Sequence, residues 1–193
     1  MNDVCELPGQ TDEQLMLSFC EGVNIAFEQL FVRYRQSIFA FFRRRTSDLP
    51  RAEELTQETF IALFRAATRY QPQAPFRSYL FAIAFKILRA DRRKQTFRAF
   101  FFASPASANQ AAAADHNRDE ILWLGQALNR LETSDREILL LREFEQLSYS
   151  EIASLLKLPL NTVRSRLFRA RLALREHLNP APAKDSVALG ELS

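Results

Sequence analysis

The stretch SYSEIASLLKLPLNTVRSRLFRARLALR, residues 148–175, holds two helical patterns with a break over residues 157–160. The first pattern opens on Ser148 with Glu151 three residues on, the spacing at which each side chain satisfies an orphan amide of a helix start. Pro159 ends any continuous helix, because the residue before a proline is pushed out of the α region. Asn161 or Thr162 is then expected to cap the second helix. Two short helices joined by a tight turn form a helix-turn-helix, whose second helix fits the DNA major groove.

The second helix sorts its side chains. At ~100° per residue, Val163, Leu167, Ala170 and Leu174 fall on one narrow apolar stripe, the side expected to be buried. The opposite side carries Thr162, Ser165, Phe168 and Arg169. Arg164, Arg171 and Arg175 flank it on one edge and Arg166 on the other. No acid interrupts residues 160–175, although acids are frequent elsewhere in the chain. A solvated basic helix is the plain alternative, but cap, turn and sorted faces together point to a DNA-reading helix.

The chain has 193 residues, enough for one domain or two small ones. Hydrophobic content of 47% is ample for packed cores, and only four glycines argue against a sheet-rich fold. The net charge is only +3, but its distribution matters more than its sum. Lys86, Arg89, Arg92, Arg93, Lys94 and Arg98 form a second basic cluster, relieved only by Asp91, so two patches face a polyanion. Cys5 and Cys20 are too few and too far apart for a metal knuckle. His116 and His177 complete no His/Cys set, so neither metal nor cofactor is expected. The acidic, polar N-terminus is unlike a signal peptide. Arginines break the apolar runs well short of the ~18 residues a membrane span needs. A cytoplasmic protein without membrane insertion is expected.

In chain order, Thr11 with Gln14 reads as a capping box opening a first helix. Helices follow over residues 25–45 and 51–69, the second apolar around much of its circumference. Residues 70–75, with Pro72 and Pro75, cannot be helical and read as an exposed loop. A helix over 76–98 is apolar and aromatic first, then basic. Further helices are expected over 121–130 and 136–144, with Thr133 or Ser134 capping the latter. There is no strand pattern. The fold class is all-α: a domain over 1–98, a flexible Ala/Ser-rich linker over 99–118, a helix-turn-helix domain over 119–179 and a disordered tail over 180–193.

These residues resemble the bacterial RNA polymerase sigma factors of the sigma-70 family, extracytoplasmic-function (ECF) type. The resemblance covers residues 11–98 and 119–178. LSY at 147–149, EIA at 151–153, Pro159, TVRSRL at 162–167 and RAR at 169–171 are similar to region 4. EELTQETF at 53–60 is similar to region 2.2. Phe76, Tyr79, Leu80, Ile83 and Ala84, with DRR at 91–93, are similar to regions 2.3 and 2.4. The resemblance implies a factor that binds core RNA polymerase, brings it to promoter DNA and helps open the −10 element, with an anti-sigma factor as a further partner.

It also implies roles for individual residues. Arg164, Ser165, Phe168 and Arg169 would read the −35 duplex, with Thr162, Arg166 and Arg171 beside them and Tyr149 and Ser150 on backbone phosphate. The loop 71–76, through Gln71, Gln73 and Phe76, would capture an unpaired −10 base next to Tyr79. Lys86, Arg89, Arg92 and Arg93 would supply cationic contacts to the strand. Glu54, Gln57 and Glu58 would dock on the polymerase clamp. Lys157 stands where the family commonly has glycine, so φ > 0 is expected there at some cost in strain. Among other readings, a response regulator needs a strand-bearing receiver that residues 1–98 do not offer. A helix-turn-helix regulator that is not a polymerase subunit remains the alternative. An enzyme needs clustered carboxylates or a nucleophile with a base, and the acids here sit at helix starts and faces.

Overall fold

The computed structural model describes residues 9–46, 48–101 and 116–179, and among these every regular element is helical. They fall into two units, divided between Ala111 and Ala112. The greater part of the expected linker, 102–115, and the expected tail, 180–193, lie outside the described residues.

The first unit holds α1 (Asp12–Cys20), α2 (Asn24–Arg43), α3 (Leu49–Ala66), a 3₁₀ turn (Ala67–Arg69) and α4 (Phe76–Phe101). The Thr11–Gln14 capping box forms at the start of α1. The helix ends in a Schellman motif: Gly22, at φ 98°, lets the Val23 and Gly22 amides return to the Ser18 and Phe19 carbonyls at 3.0 Å each. α2 packs on α1 and α3, and α4 packs on α3 and α1. Their shared core is built from Leu15, Met16, Leu30, Ile38, Phe41, Phe42, Leu55, Leu63, Leu80, Phe81 and Leu88. Phe41 meets Phe42 edge-on at 5.1 Å and Phe81 at 5.7 Å, the offset geometry that aromatic quadrupoles prefer.

The second unit holds α5 (His116–Asn129), α6 (Thr133–Glu143), α7 (Tyr149–Leu156) and α8 (Leu160–Leu178). α5, α6 and α7 all pack on α8. Ile138, Leu140, Leu141, Leu147, Ile152, Val163, Leu167 and Ala170 form the core.

Several boundaries differ from the sequence reading. α4 continues to Phe101 and α5 begins at His116, so both ends of the expected linker are helical. α6 starts at Thr133 with Glu132 before it, and no side chain caps it; Thr133 and Ser134 lie inside the first turn. α8 likewise starts at Leu160 behind Pro159 without a side-chain cap. The Thr162 amide is already taken by the Pro159 carbonyl at 3.0 Å, so neither Asn161 nor Thr162 is needed as the cap.

Candidate nucleic-acid interface

In the second unit the helix-turn-helix is set by local chemistry. Ser148 and Glu151 exchange both bonds of a capping box: the Ser148 amide donates to Glu151 Oε2 at 2.6 Å, and the Glu151 amide to Ser148 Oγ at 3.2 Å. Lys157 closes α7 in the left-handed region, φ 56° and ψ 47°. This lets the Leu158 amide reach the Ala153 carbonyl at 3.0 Å, a Schellman closure on a residue that is not glycine. Pro159 then redirects the chain into α8.

α8 presents the expected faces. Val163, Leu167 and Ala170 are buried, and Leu174 is half-buried. Arg164 and Ser165 are exposed, Phe168 is 70% exposed and the Arg169 side chain 62%. A phenyl ring left in water on a folded helix serves no core. Arg169 lies 3.7 Å from the buried Asp135, which draws its guanidinium toward α6. Ser165 Oγ donates to the Thr162 carbonyl at 3.1 Å, and Thr162 and Arg166 are half-buried. Arg171 donates to Glu143 at 2.6 Å; that bond holds its guanidinium protonated more firmly than usual. Its charge is thus partly spent on α6. At the start of α7, Tyr149 lies under the Arg142 guanidinium at 5.2 Å, and Ser150 Oγ is 3.0 Å from Ser148 Oγ.

In the first unit, residues 70–75 link the 3₁₀ turn to α4. Gln71 and Gln73 are exposed and paired: the Gln73 amide donates to the Gln71 carbonyl, and its Nε2 to Gln71 Oε1, both at 2.8 Å. Two aromatics lie deeper than expected. Phe76 is fully buried against Tyr34 and Tyr70, so its ring is part of the core. Tyr70, read as part of an exposed loop, is only 8% exposed. Its ring packs on Tyr79 at 5.1 Å, and its hydroxyl has no partner among the described residues. Burial first, and the Glu13 charge second, push that hydroxyl up to about 12. Periodicity could not find this, because an aromatic beside two prolines is as readily a loop tip as an anchor.

Tyr79 is half-buried, and Lys86, Arg89, Arg92 and Arg93 are all exposed. Lys86, Arg89 and Arg93 follow one another at spacings of three and four, which keeps them on one side of α4. Tyr79 to Arg93 spans about 21 Å of helix. Asp91, inside this cluster, is buried and structural. Arg51 Nε and Nη2 donate to its Oδ1 at 3.0 and 2.5 Å, and Gln95 Nε2 to its Oδ2 at 2.8 Å. Arg51 thereby ties α3 to α4, and it also reaches Glu54 at 2.5 Å and Glu58 at 3.9 Å. Glu54, Gln57 and Glu58 are exposed together on α3, followed by Ile61 and Phe64 at 50% and 55% exposure. The core residues Leu55, Thr59 and Leu63 occupy the other side. The sequence singled out the acids, and Arg51 as their organiser emerges only in three dimensions.

One contributor was missed altogether. The Phe76 amide donates to Glu13 Oε1 across the unit at 2.7 Å, and this bond holds the Glu13 carboxyl below its usual value.

Residues 30–101 match the family described as Sigma-70 region 2, and residues 121–174 match Sigma-70, region 4. The chain is similar to the RNA polymerase sigma-H factor of Pseudomonas aeruginosa, 31% identical over 187 residues, 90% of this chain and 97% of that one. It is also similar to the ECF RNA polymerase sigma-E factor of Salmonella typhimurium, at 29% identity over 88% of this chain and 95% of the relative. Among solved structures, CnrH in complex with the cytosolic domain of CnrY superposes with a TM-score of 0.68 at 25% identity, covering 89% of this chain and 99% of that one. Among the described residues no helix is long and apolar enough to cross a membrane. Two sigma regions in order, on the helices just described, place the chain in the sigma-70 family of RNA polymerase sigma factors, within its ECF group.

Proposed function

We propose that the chain acts as a dissociable specificity subunit, which binds core RNA polymerase and directs it to promoters carrying a −35 and a −10 element. The exposed face of α8 carries the reading. Arg164, Ser165, Phe168 and Arg169 present a bidentate donor, a hydroxyl, an apolar ring and a second arginine over a packed Val163–Leu167–Ala170 base. That set suits guanine edges and thymine methyls in the −35 major groove. Tyr149, Ser150, Thr162, Arg166 and Arg171 are assigned to phosphate and groove-edge contacts, where they fix register without reading sequence.

The first domain holds the −10 non-template strand. Gln71 and Gln73 offer amides to an unpaired base, Tyr79 an aromatic edge, and Lys86, Arg89, Arg92 and Arg93 the cationic track that single strands require. The exposed side of α3, with Glu54, Gln57 and Glu58, docks on polymerase. CnrH is held by a cytosolic domain of another protein, which supports an anti-sigma factor as the regulatory partner here. The protein contributes binding and strand separation, the chemistry stays with polymerase, and its place of work is the cytoplasm.

The test is pull-down of core polymerase by the full chain, followed by run-off transcription on a genomic promoter library. Co-purification with promoter-selective transcripts is the expected result. Selective duplex binding without polymerase association would favour a free-standing regulator instead.

A further inference from the structure

α1 lies ahead of the residues that match region 2, and none of its side chains belongs to the faces assigned above. Its polar contacts nonetheless bracket the loop 70–75. At the loop's entrance the Cys20 thiol donates to the Ala67 carbonyl at 3.0 Å. At its exit the Glu13 carboxylate accepts the Phe76 amide at 2.7 Å. α1 is itself fixed to α2, because Asp12 accepts from Arg33 at 2.7 Å and from the Tyr34 hydroxyl. Leu15 and Met16 anchor its other side in the core.

The chemistry at the exit explains why a distant residue is used. A helix start leaves amides without partners, and the residue before the helix normally supplies the acceptor. Here that residue is Pro75, which has no side-chain acceptor. Glu13, 63 residues away, takes over the cap. Pro72 and Pro75 already fix two backbone angles within the loop. The freedom that remains includes how the loop joins its neighbours, and α1 contacts both junctions.

We propose that α1 is a brace that presets the base-capturing loop, with Glu13 as its positioning residue. Holding Phe76 fixes where α4 begins, and so where the paired amides of Gln71 and Gln73 stand relative to Tyr79. Extruding a base from a duplex costs stacking and pairing energy, and a preformed receptor avoids adding the cost of ordering the loop. This inference rests on the proposed role of the loop in taking an unpaired −10 base.

The test uses the full chain assembled with core polymerase on fork-junction templates varied at each −10 non-template position. Glu13→Ala should reduce the preferred-to-disfavoured base ratio about tenfold at one −10 position, with −35 preference unchanged. Glu13→Gln, which keeps the Oε1 acceptor, should retain the ratio. Should Glu13→Ala melt below the assay temperature, Cys20→Ala tests the other junction and should lower the ratio at the same position. An unaltered ratio in the alanine variants, an equal loss at every −10 and −35 position, or a glutamine variant as poor as alanine would each overturn the brace. A wild-type complex with no base preference anywhere in the −10 element would instead reject the loop assignment itself.

Discussion

Lys157 shows how one backbone angle shapes the reading end of this protein. Its left-handed conformation closes α7 where a side chain strains against its own carbonyl, at a cost of about 1 kcal/mol. Glycine removes that strain but loses more chain entropy on folding. Lys157→Gly should therefore stabilise the protein by only a few tenths of a kcal/mol, and Lys157→Val, β-branched, should destabilise it by about 1–2 kcal/mol. Denaturant midpoints of the two variants check the pair. Arg169 carries a different load. Its side chain is largely in solvent and its approach to the buried Asp135 is long, 3.7 Å, so Arg169→Ala should cost folding no more than a weak ion pair, about 1 kcal/mol or less. It should cost about 1–3 kcal/mol of −35 discrimination, read by competition between matched and mismatched duplexes. A uniform loss across all sequences would assign Arg169 to phosphate instead.

Among the elements, α3 and α4 are joined by a polar bond inside an otherwise apolar contact. Asp91 is 5% exposed and accepts from both Arg51 and Gln95. Asp91→Ala would leave the Arg51 guanidinium, one-quarter exposed, without its main acceptor. A loss of about 2–3 kcal/mol is expected in chemical denaturation. Because Arg51 also steadies Glu54 and Glu58, the same variant should weaken polymerase association beyond its effect on folding. The brace at α1 has a pH signature. The Phe76 amide lowers the Glu13 carboxyl from the usual 4.5, so the folded state binds its proton less readily than the unfolded chain. The stabilisation is complete above pH 4.5 and fades as pH falls through the lower folded value. Thermal melts of the full chain should show a shallower acid slope in Glu13→Gln than in wild type.

For the whole molecule, the small net charge of +3 sets the division of labour. The cations are concentrated along α4 and α8, so local attraction to DNA exists without a large overall field. The salt dependence of promoter binding should be carried by those two stripes. If Arg89 and Arg166 contact phosphate as proposed, removing either by alanine should lower the slope of log K against log salt by about one. Arg171→Ala should lower it less, because Glu143 already neutralises part of that charge. Binding isotherms over a salt series separate these outcomes.

The resemblance to the sigma factors supplied the left-handed turn at Lys157 and the patch of Glu54, Gln57 and Glu58 on α3. The sequence by itself determined the helical fold class, the helix-turn-helix with its Ser148–Glu151 box, and the buried and exposed faces of α8. These are local: capping spacing, proline geometry and a 3.6-residue period act within one or two turns, so neighbouring letters suffice to read them. Tertiary structure alone decided that Phe76 and Tyr70 are anchors, that Asp91 belongs to Arg51, and that Arg171 is shared with Glu143. It alone showed that Glu13 caps a helix 63 residues away. Each of those depends on which surfaces pack together. A carboxylate or an aromatic ring carries the same chemistry in the chain whether folding leaves it in water or closes a neighbour over it.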